Sequence, residues 1–515
     1  MSVSITPKAG RREWVGLCVL GLACVLYSMD LTVLHLAVPQ ISADLQPTSS
    51  QLLWIIDIYG FFIAGSLITM GNLGDKIGRR RLLLIGGICF AATSVLAAFS
   101  TSAEMLIVTR ALLGVSGATL APSTLSLIRN MFHDQKQRVV AIGVWISAFS
   151  VGAAIGPLVG GVLLEYFWWG SVFLLAVPVM AILLILGPIL LPEFKDPKAR
   201  RLDIFSAALS LAAILSVIYG IKLFAQNGVE FQSVLFVLVG IGLAVIFLHR
   251  QRRLSNPLID LHLFRIPAFT TSLFTFLFGI FMAFGVFLFI SQYLQLVLGL
   301  SPLESGLWML PWAIAFVGGT QVTPLLMRRL RPGPIIAGGL VLSAIGFAIL
   351  IQVDENTSFA LLVTAFVISS FGLSPVFTLA TELVIGSAPP ERAGAASAIS
   401  ETTAELGGAL GIAVFGSLGV AIYRNELAAA LTGRIPHDML EIARDTLGAA
   451  VQISEQLPRE IGSLLLGAAR DAFLHGMHLS VFISVILAIV TAGLVLISLR
   501  NVQGSNEPKV EKKLS

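Results

Sequence analysis

The chain has 515 residues, of which 56% are apolar and only 12% charged, with a mean hydropathy of +0.90. Soluble domains carry about 25% charge, so long apolar stretches, rather than one water-facing core, must absorb the excess. The net charge of +4 is carried largely by loops between apolar stretches and does not read as a nucleic-acid footprint, while Cys18, Cys24 and Cys89 all fall in apolar stretches and indicate neither disulfides nor a thiolate metal site.

Apolar stretches long enough to span a membrane recur near 14–38, 51–71, 82–99, 105–127, 139–164 and 170–191. Two more lie near 204–224 and 233–249. Six follow near 269–292, 307–327, 335–352, 358–381, 394–420 and 476–499, making fourteen expected helices in an all-α polytopic membrane protein. The first stretch is too long for the apolar region of a signal peptide and reads as an uncleaved span. Asp57 interrupts the second stretch, and Glu401 and Glu405 the thirteenth.

Charge placement tests this count independently. With residues 1–13 inside and the loops assigned alternately, most of the 33 Lys and Arg fall on the inner side, including the clusters at 76–81, 195–201, 250–265 and 328–331. The short outward loops near 39–50, 100–104, 165–169, 293–306 and 353–357 hold none, and Lys222 stands alone at one outer helix end. This is the positive-inside pattern, and it predicts that both the N-terminus and the tail 500–515 are cytoplasmic.

The expected organisation is two six-helix halves, 14–191 and 269–499, with the two central helices inserted in the linker 192–268. Such halves are a standard way to build alternating access. The outward stretch 424–474 is unusually long, and Leu440, Ile442, Ala443 and Leu447 suggest one or two short amphipathic helices there. It could cap the outer mouth, lie on the membrane surface, or simply connect.

A charge at the centre of a membrane helix costs roughly 2.5–3.5 kcal/mol on insertion scales. Charges there persist where they pair, line a cavity or exchange protons. Asp30 in the first span shares a helix face with Tyr27, and Asp57 in the second shares one with Trp54. A carboxylate beside an aromatic face suits an organic cation, though Asp57 could instead pair structurally, with Trp54 in the interfacial belt. Glu401 and Glu405 lie one turn apart, and two carboxylates so close in low dielectric do not both ionise cheaply. That is a requirement for trading a proton for a cation, although either could simply bond a neighbouring Ser or Thr. Arg110, deep in the fourth span, needs a partner, for which Asp30 is the economical candidate.

The histidines show no metal-ligand spacing and no Walker-type phosphate loop is present. An ion gradient is therefore the expected energy source, with no cofactor and no metal.

The segment Gly71-Asn72-Leu73-Gly74-Asp75-Lys76-Ile77-Gly78-Arg79-Arg80-Arg81 resembles the loop signature of the major facilitator superfamily between helices two and three. Gly71, Asp75, Gly78 and Arg79 would form a conformational latch. The fifth span holds Gly152-Ala153-Ala154-Ile155-Gly156-Pro157-Leu158-Val159-Gly160-Gly161, which resembles that family's antiporter signature. Small residues there let helices pack closely, and Pro157 bends the helix. Arg110 and Gly114 match the fourth-span signature, but Leu113 stands where Gln is common, leaving the arginine's local partner open. Asp30 to Pro39 resembles the first-span signature of the 14-helix drug:proton antiporters, with His35 in place of the usual Asn.

The resemblance to this branch covers about residues 14–500 and is strongest for bacterial exporters of quaternary ammonium compounds and methyl viologen. It implies proton-coupled efflux of lipophilic cations across the bacterial inner membrane by a monomer, with Asp30, Asp57, Arg110, Glu401 and Glu405 coupling cargo to protons. Tyr27, Trp54, Tyr59 and Trp312 are the expected aromatic walls. Some exporters of dications carry a further acid in the tenth span, whereas residues 307–327 here contain none. Dications would then rely on Asp57 and the Glu401 pair, or be handled more weakly. The alternatives are an exporter of one cellular metabolite and, from another class, a membrane sensor using the 424–470 segment. A sensor would need no proton-exchanging carboxylate.

Overall fold

The computed structural model describes residues 9–195, 203–228, 230–254, 257–259, 261–387 and 393–500, and among these there is no strand. The first eight helices are α1 Arg11–Leu45, α2 Ser49–Ile77, α3 Arg79–Ala98, α4 Ala103–Gly117, α5 Leu120–Met131, α6 Gln135–Tyr166, α7 Ser171–Leu174 and α8 Ala176–Leu190. The next two are α9 Ile204–Asn227 and α10 Phe231–Arg253. After it come α11 Pro267–Gln292, α12 Pro302–Leu326, α13 Pro332–Leu350, α14 Phe359–Pro375, α15 Thr381–Ser387, α16 Ala393–Leu431, α17 His437–Ala443, α18 Leu447–Gln456 and α19 Arg459–Ser498. Single π turns, Tyr293–Val297 and Val376–Ala380, follow α11 and join α14 to α15.

Thirteen of the described helical segments are long and apolar enough to cross a membrane. A fourteenth is α6, which bends by 40° between Val140–Ala153 and Ile155–Tyr166. The bend falls just before Pro157, whose ring displaces the carbonyl four residues earlier and removes one helical bond. The fold class expected from the sequence is therefore the one observed. Side-chain caps from Thr48, Ser102, Asp134, Asp203, Ser358 and Thr446 start six of the helices and satisfy amide groups that would otherwise lack acceptors.

The chain divides into two compact units. One comprises residues up to Leu258 with 284–310 and 408–480, and the other comprises 259–283, 311–407 and the chain from 481 onward. In the first unit, α6 lies along α1 with its glycines at the contact. A Cβ on Gly152 would collide with the Val25 carbonyl oxygen, and one on Gly156 with the Thr32 hydroxyl. Farther along, a Cβ on Gly160 would lie 2.9 Å from Val33, and one on Gly161 2.8 Å from the Pro302 carbonyl. The antiporter-like motif is thus a packing surface on which α1 and the start of α12 seat backbone to backbone.

The α9–α10 hairpin is held at one end by Asp203, which caps α9, accepts from the Ser206 amide and hydroxyl, and meets Arg250 of α10 at 3.1 Å. Burial alone would raise the Asp203 carboxyl, but the bonds from Ser206 and Arg250 outweigh it and hold it below the usual range. Only 17% of the α10 apolar window is buried, leaving it a surface helix of the bundle.

The long 424–474 segment is not a loop. Helix α16 continues to Leu431, α19 begins at Arg459, and α17 and α18 fill the space between them. The two short amphipathic helices are present, and they do more than connect. Asp445 receives Arg424 at 2.7 Å, its carbonyl accepts from Ser49 at 2.6 Å, and Tyr423 donates to the Ala443 carbonyl. Gln452 reaches the Ala43 carbonyl, and Arg470 the Leu296 carbonyl. The segment is therefore a cap pinned over the adjoining ends of α1 and α2, and beside it Leu53, Leu288, Phe289, Val420 and Phe473 line a partly open cleft of about 60 Å³. Asp445→Ala removes a charge-assisted tie, and such bonds are worth about 1.5–3 kcal/mol. Amide exchange across α17 and α18 is expected to accelerate at least about tenfold, measured by hydrogen–deuterium exchange.

Candidate functional site

Asp30 sits midway along α1 and Arg110 on α4, and the partner that economy favoured for the arginine is the one found. Arg110 Nη1 lies 2.6 Å from Asp30 Oδ2, with the arginine side chain 1% exposed. Its Nε donates to the Ile55 carbonyl of α2 at 3.2 Å, and its guanidinium lies 4.5 Å from the Tyr59 ring centroid. Those contacts supply the local partners that Leu113 cannot. They require α4 to press against α2, and Gly114 allows it, since a Cβ there would lie 2.5 Å from the Tyr59 carbonyl oxygen. One arginine thus ties α1, α2 and α4 together through charge, backbone and aromatic contact.

Asp57 lies one turn from Trp54 on α2, and the cation between them is the protein's own. Lys222 of α9 places Nζ 3.0 Å from Asp57 Oδ1 and 2.9 Å from Oδ2, and 3.7 Å from the Trp54 ring centroid. Both charged side chains are buried, at 1% for the lysine and 0% for the aspartate. The contact to Oδ2 is close but misaligned, so that oxygen accepts no hydrogen bond among the described groups. Lys222 lies near the end of its span, as expected, but it does not stand alone. It is an interior charge, tolerated because a carboxylate and an aromatic face receive it. A signal was available in the sequence: a lysine in an otherwise apolar span demands an acid, and Asp57 was the unclaimed one.

The remaining aromatic residues are packed rather than open. Tyr27 and Tyr59 are 3% and 0% exposed, with ring centroids 6.5 Å apart, and Tyr27 also meets Phe149 edge-on at 5.7 Å. In the second unit, Trp312 of α12 stacks on Phe316 at 5.8 Å, and its carbonyl accepts from Ser370. Glu401 and Glu405 lie one turn apart on the part of α16 that belongs to that unit, both half-buried. Asp30, Asp57 and Arg110 belong to the first unit. Among the described residues no cluster of His, Cys, Asp and Glu has the makings of a metal site.

The Gly71–Arg81 segment is a tight helix–helix corner. Gly78 alone separates α2 from α3 and adopts φ 114°, a conformation glycine takes without steric cost. Arg79 turns back to Asp75 at 2.6 Å and reaches the Pro122 carbonyl of α5, while Gly71 faces Pro122. A residue that sequence reasoning did not single out, Glu193, closes the corner from beyond α8. It accepts from the Arg80 amide at 3.2 Å and lies within 3.8 Å of the Arg80 and Arg81 side chains.

A family model described as the Major Facilitator Superfamily matches residues 20–412. The chain is 41% identical over 498 residues to the multidrug efflux pump LfrA of Mycolicibacterium smegmatis, covering 96% of this chain and 98% of that protein. It is 36% identical over 474 residues to the methyl viologen resistance protein SmvA of Salmonella typhimurium, covering 91% and 95%. Among solved structures it resembles a bacterial homolog of the human lysosomal transporter Spinster, with a TM-score of 0.67 at 17% identity, covering 97% of this chain and all of that one. That last likeness speaks to the fold alone. Because the family match runs through the Gly78 corner, the α4 arginine and the α6 glycines alike, the chain belongs to the Major Facilitator Superfamily and is a multi-pass membrane transporter, not an enzyme.

Proposed function

We propose that this transporter is a proton-coupled antiporter exporting lipophilic cations, including quaternary ammonium compounds, cationic dyes and methyl viologen-like dications. It would sit in the bacterial inner membrane with both termini cytoplasmic. The observation that carries the cation half of this reading is the Asp57–Trp54 pair, which already grips an ammonium group between a carboxylate and an aromatic face. The names of the relatives, a multidrug efflux pump and a methyl viologen resistance protein, point the same way.

Coupling follows from charge competition. In the outward-facing state an acid such as Asp30 or Glu401 takes a proton. In the inward-facing state it releases the proton, and the site accepts a cation from the cytoplasm or inner leaflet. Because proton and cargo exclude each other at shared carboxylates, exchange needs no separate relay. Arg110 lets the state of Asp30 be felt in α2 and α4, since weakening the ion pair loosens all three helices.

The experiment is ethidium export by purified protein in liposomes under an imposed proton gradient. Wild-type protein is expected to respond to the gradient, and Glu401→Gln is expected to lose at least about 90% of that response, a barrier change of about 1.4 kcal/mol. Folded wild-type protein that moves neither ethidium nor any cation of a small panel would sink the reading and favour a single metabolite as cargo.

A further inference from the structure

Helix α9 shares a compact unit with α2 and delivers a buried charge to the site. Lys222 is held by Asp57 and Trp54 in the way an alkylammonium cargo would be held, with carboxylate oxygens at 2.9 and 3.0 Å and a ring centroid at 3.7 Å. Both carboxylate oxygens face the one ammonium, which donates its aligned hydrogen bond to Oδ1.

We propose that Lys222 is a tethered competitor: its ammonium occupies the Asp57–Trp54 cation site in the empty carrier, and a lipophilic cation loads by displacing it. The proposal rests on the cation-export reading above. A flexible four-carbon stem lets the ammonium withdraw while the α9 backbone stays in place. An aromatic row leads away from the site. Tyr219, three residues earlier on α9, lies 6.4 Å from Trp54, and Phe236 of α10 lies 4.7 Å from Tyr219. Tyr219 and Phe236 are 38% and 37% exposed, so the row ends on the surface of the bundle, where a membrane-dissolved cation would meet it.

Two properties follow. A neutral molecule brings no charge to replace the lysine and is rejected, and every cation binds more weakly than the bare site would allow because it must first evict an occupant. Once cargo leaves, the lysine refills the site, so the carrier never resets with a naked buried carboxylate.

The test is equilibrium binding of ethidium and tetraphenylphosphonium to full-length protein in nanodiscs, comparing wild type, Lys222→Gln and Lys222→Arg. Removing the competitor is expected to tighten binding about tenfold in Lys222→Gln. Arg, whose fork engages a carboxylate through two bonds, is expected to weaken binding about tenfold. A structural clasp predicts the reverse order, with Arg close to wild type and Gln weakened or unchanged, and that result overturns the proposal. If Lys222→Gln does not fold, the Arg variant decides alone, and binding equal to or tighter than wild type overturns it. Wild-type protein that binds no cation would instead overturn the export reading beneath it.

Discussion

Asp30→Asn is expected to abolish gradient-driven export while leaving a folded protein. Asn keeps the shape of the side chain and can still accept from Arg110, so α1, α2 and α4 remain joined. It offers no exchangeable charge. The guanidinium, 1% exposed and 2.6 Å from its present partner, is then permanently unneutralised. The gradient-stimulated rate should fall roughly hundredfold or more, equivalent to about 2.7 kcal/mol of barrier, whereas downhill binding of ethidium should change far less. Arg110→Ala is the harsher change. It strips the Ile55 bond and the Tyr59 contact along with the ion pair, and breaking a buried pair from one side costs about 3–5 kcal/mol. Thermal unfolding in detergent should place both below wild type, Asp30→Asn because the guanidinium stays buried without a counter-charge, and Arg110→Ala because the Ile55 and Tyr59 contacts go with the ion pair. An Asp30→Asn protein that still exports against a gradient would remove Asp30 from the coupling scheme.

The second large effect concerns packing. Gly152→Val should prevent α6 from seating on α1, because even its first carbon would enter the Val25 carbonyl oxygen, which belongs to backbone and cannot rotate away. Overpacking of this kind costs about 1–3 kcal/mol, occasionally more, and a β-branched side chain against backbone belongs at the upper end. Gly143, earlier on α6, is the internal control, since a Cβ there meets nothing within 4 Å. Gly143→Ala should be neutral or stabilising by up to about 1 kcal/mol. Gly156→Ala should fall between them, because its obstacle is the Thr32 hydroxyl, a side chain able to turn. Melting temperatures that fail to rank Gly143→Ala above Gly156→Ala above Gly152→Val would mean that α1 and α6 do not pack as described.

Most of the fold was legible because the membrane imposes a local rule. A span needs about 20 apolar residues, and neighbouring charges mark where each one ends. That is why α1 to α16 fall where apolar runs predict them. Packing between helices is non-local, and there the reading thinned. Helical spacing placed Trp54 and Asp57 on one face, but nothing in α2 says that α9 faces them, so Lys222 was misread. Glu193 was overlooked because a single acid after a helix looks like solvent-facing punctuation. The 424–474 segment looked like a loop because its apolar positions are spread over four short helical pieces, none with a long period of its own. The pairing of Arg110 with Asp30 was recoverable, since two opposite charges in hydrocarbon leave few other solutions.

The cap bears on how such a transporter could be stopped. Asp445 is shared by Arg424 and Ser49, and Tyr423 holds the neighbouring Ala443, so one small patch carries the ties of α17 and α18 to two long helices. On the proposed topology that patch faces away from the cytoplasm. If transport runs outward as proposed, an inhibitor that bridged it would act from outside the cell and would never have to outrun the export it was meant to block.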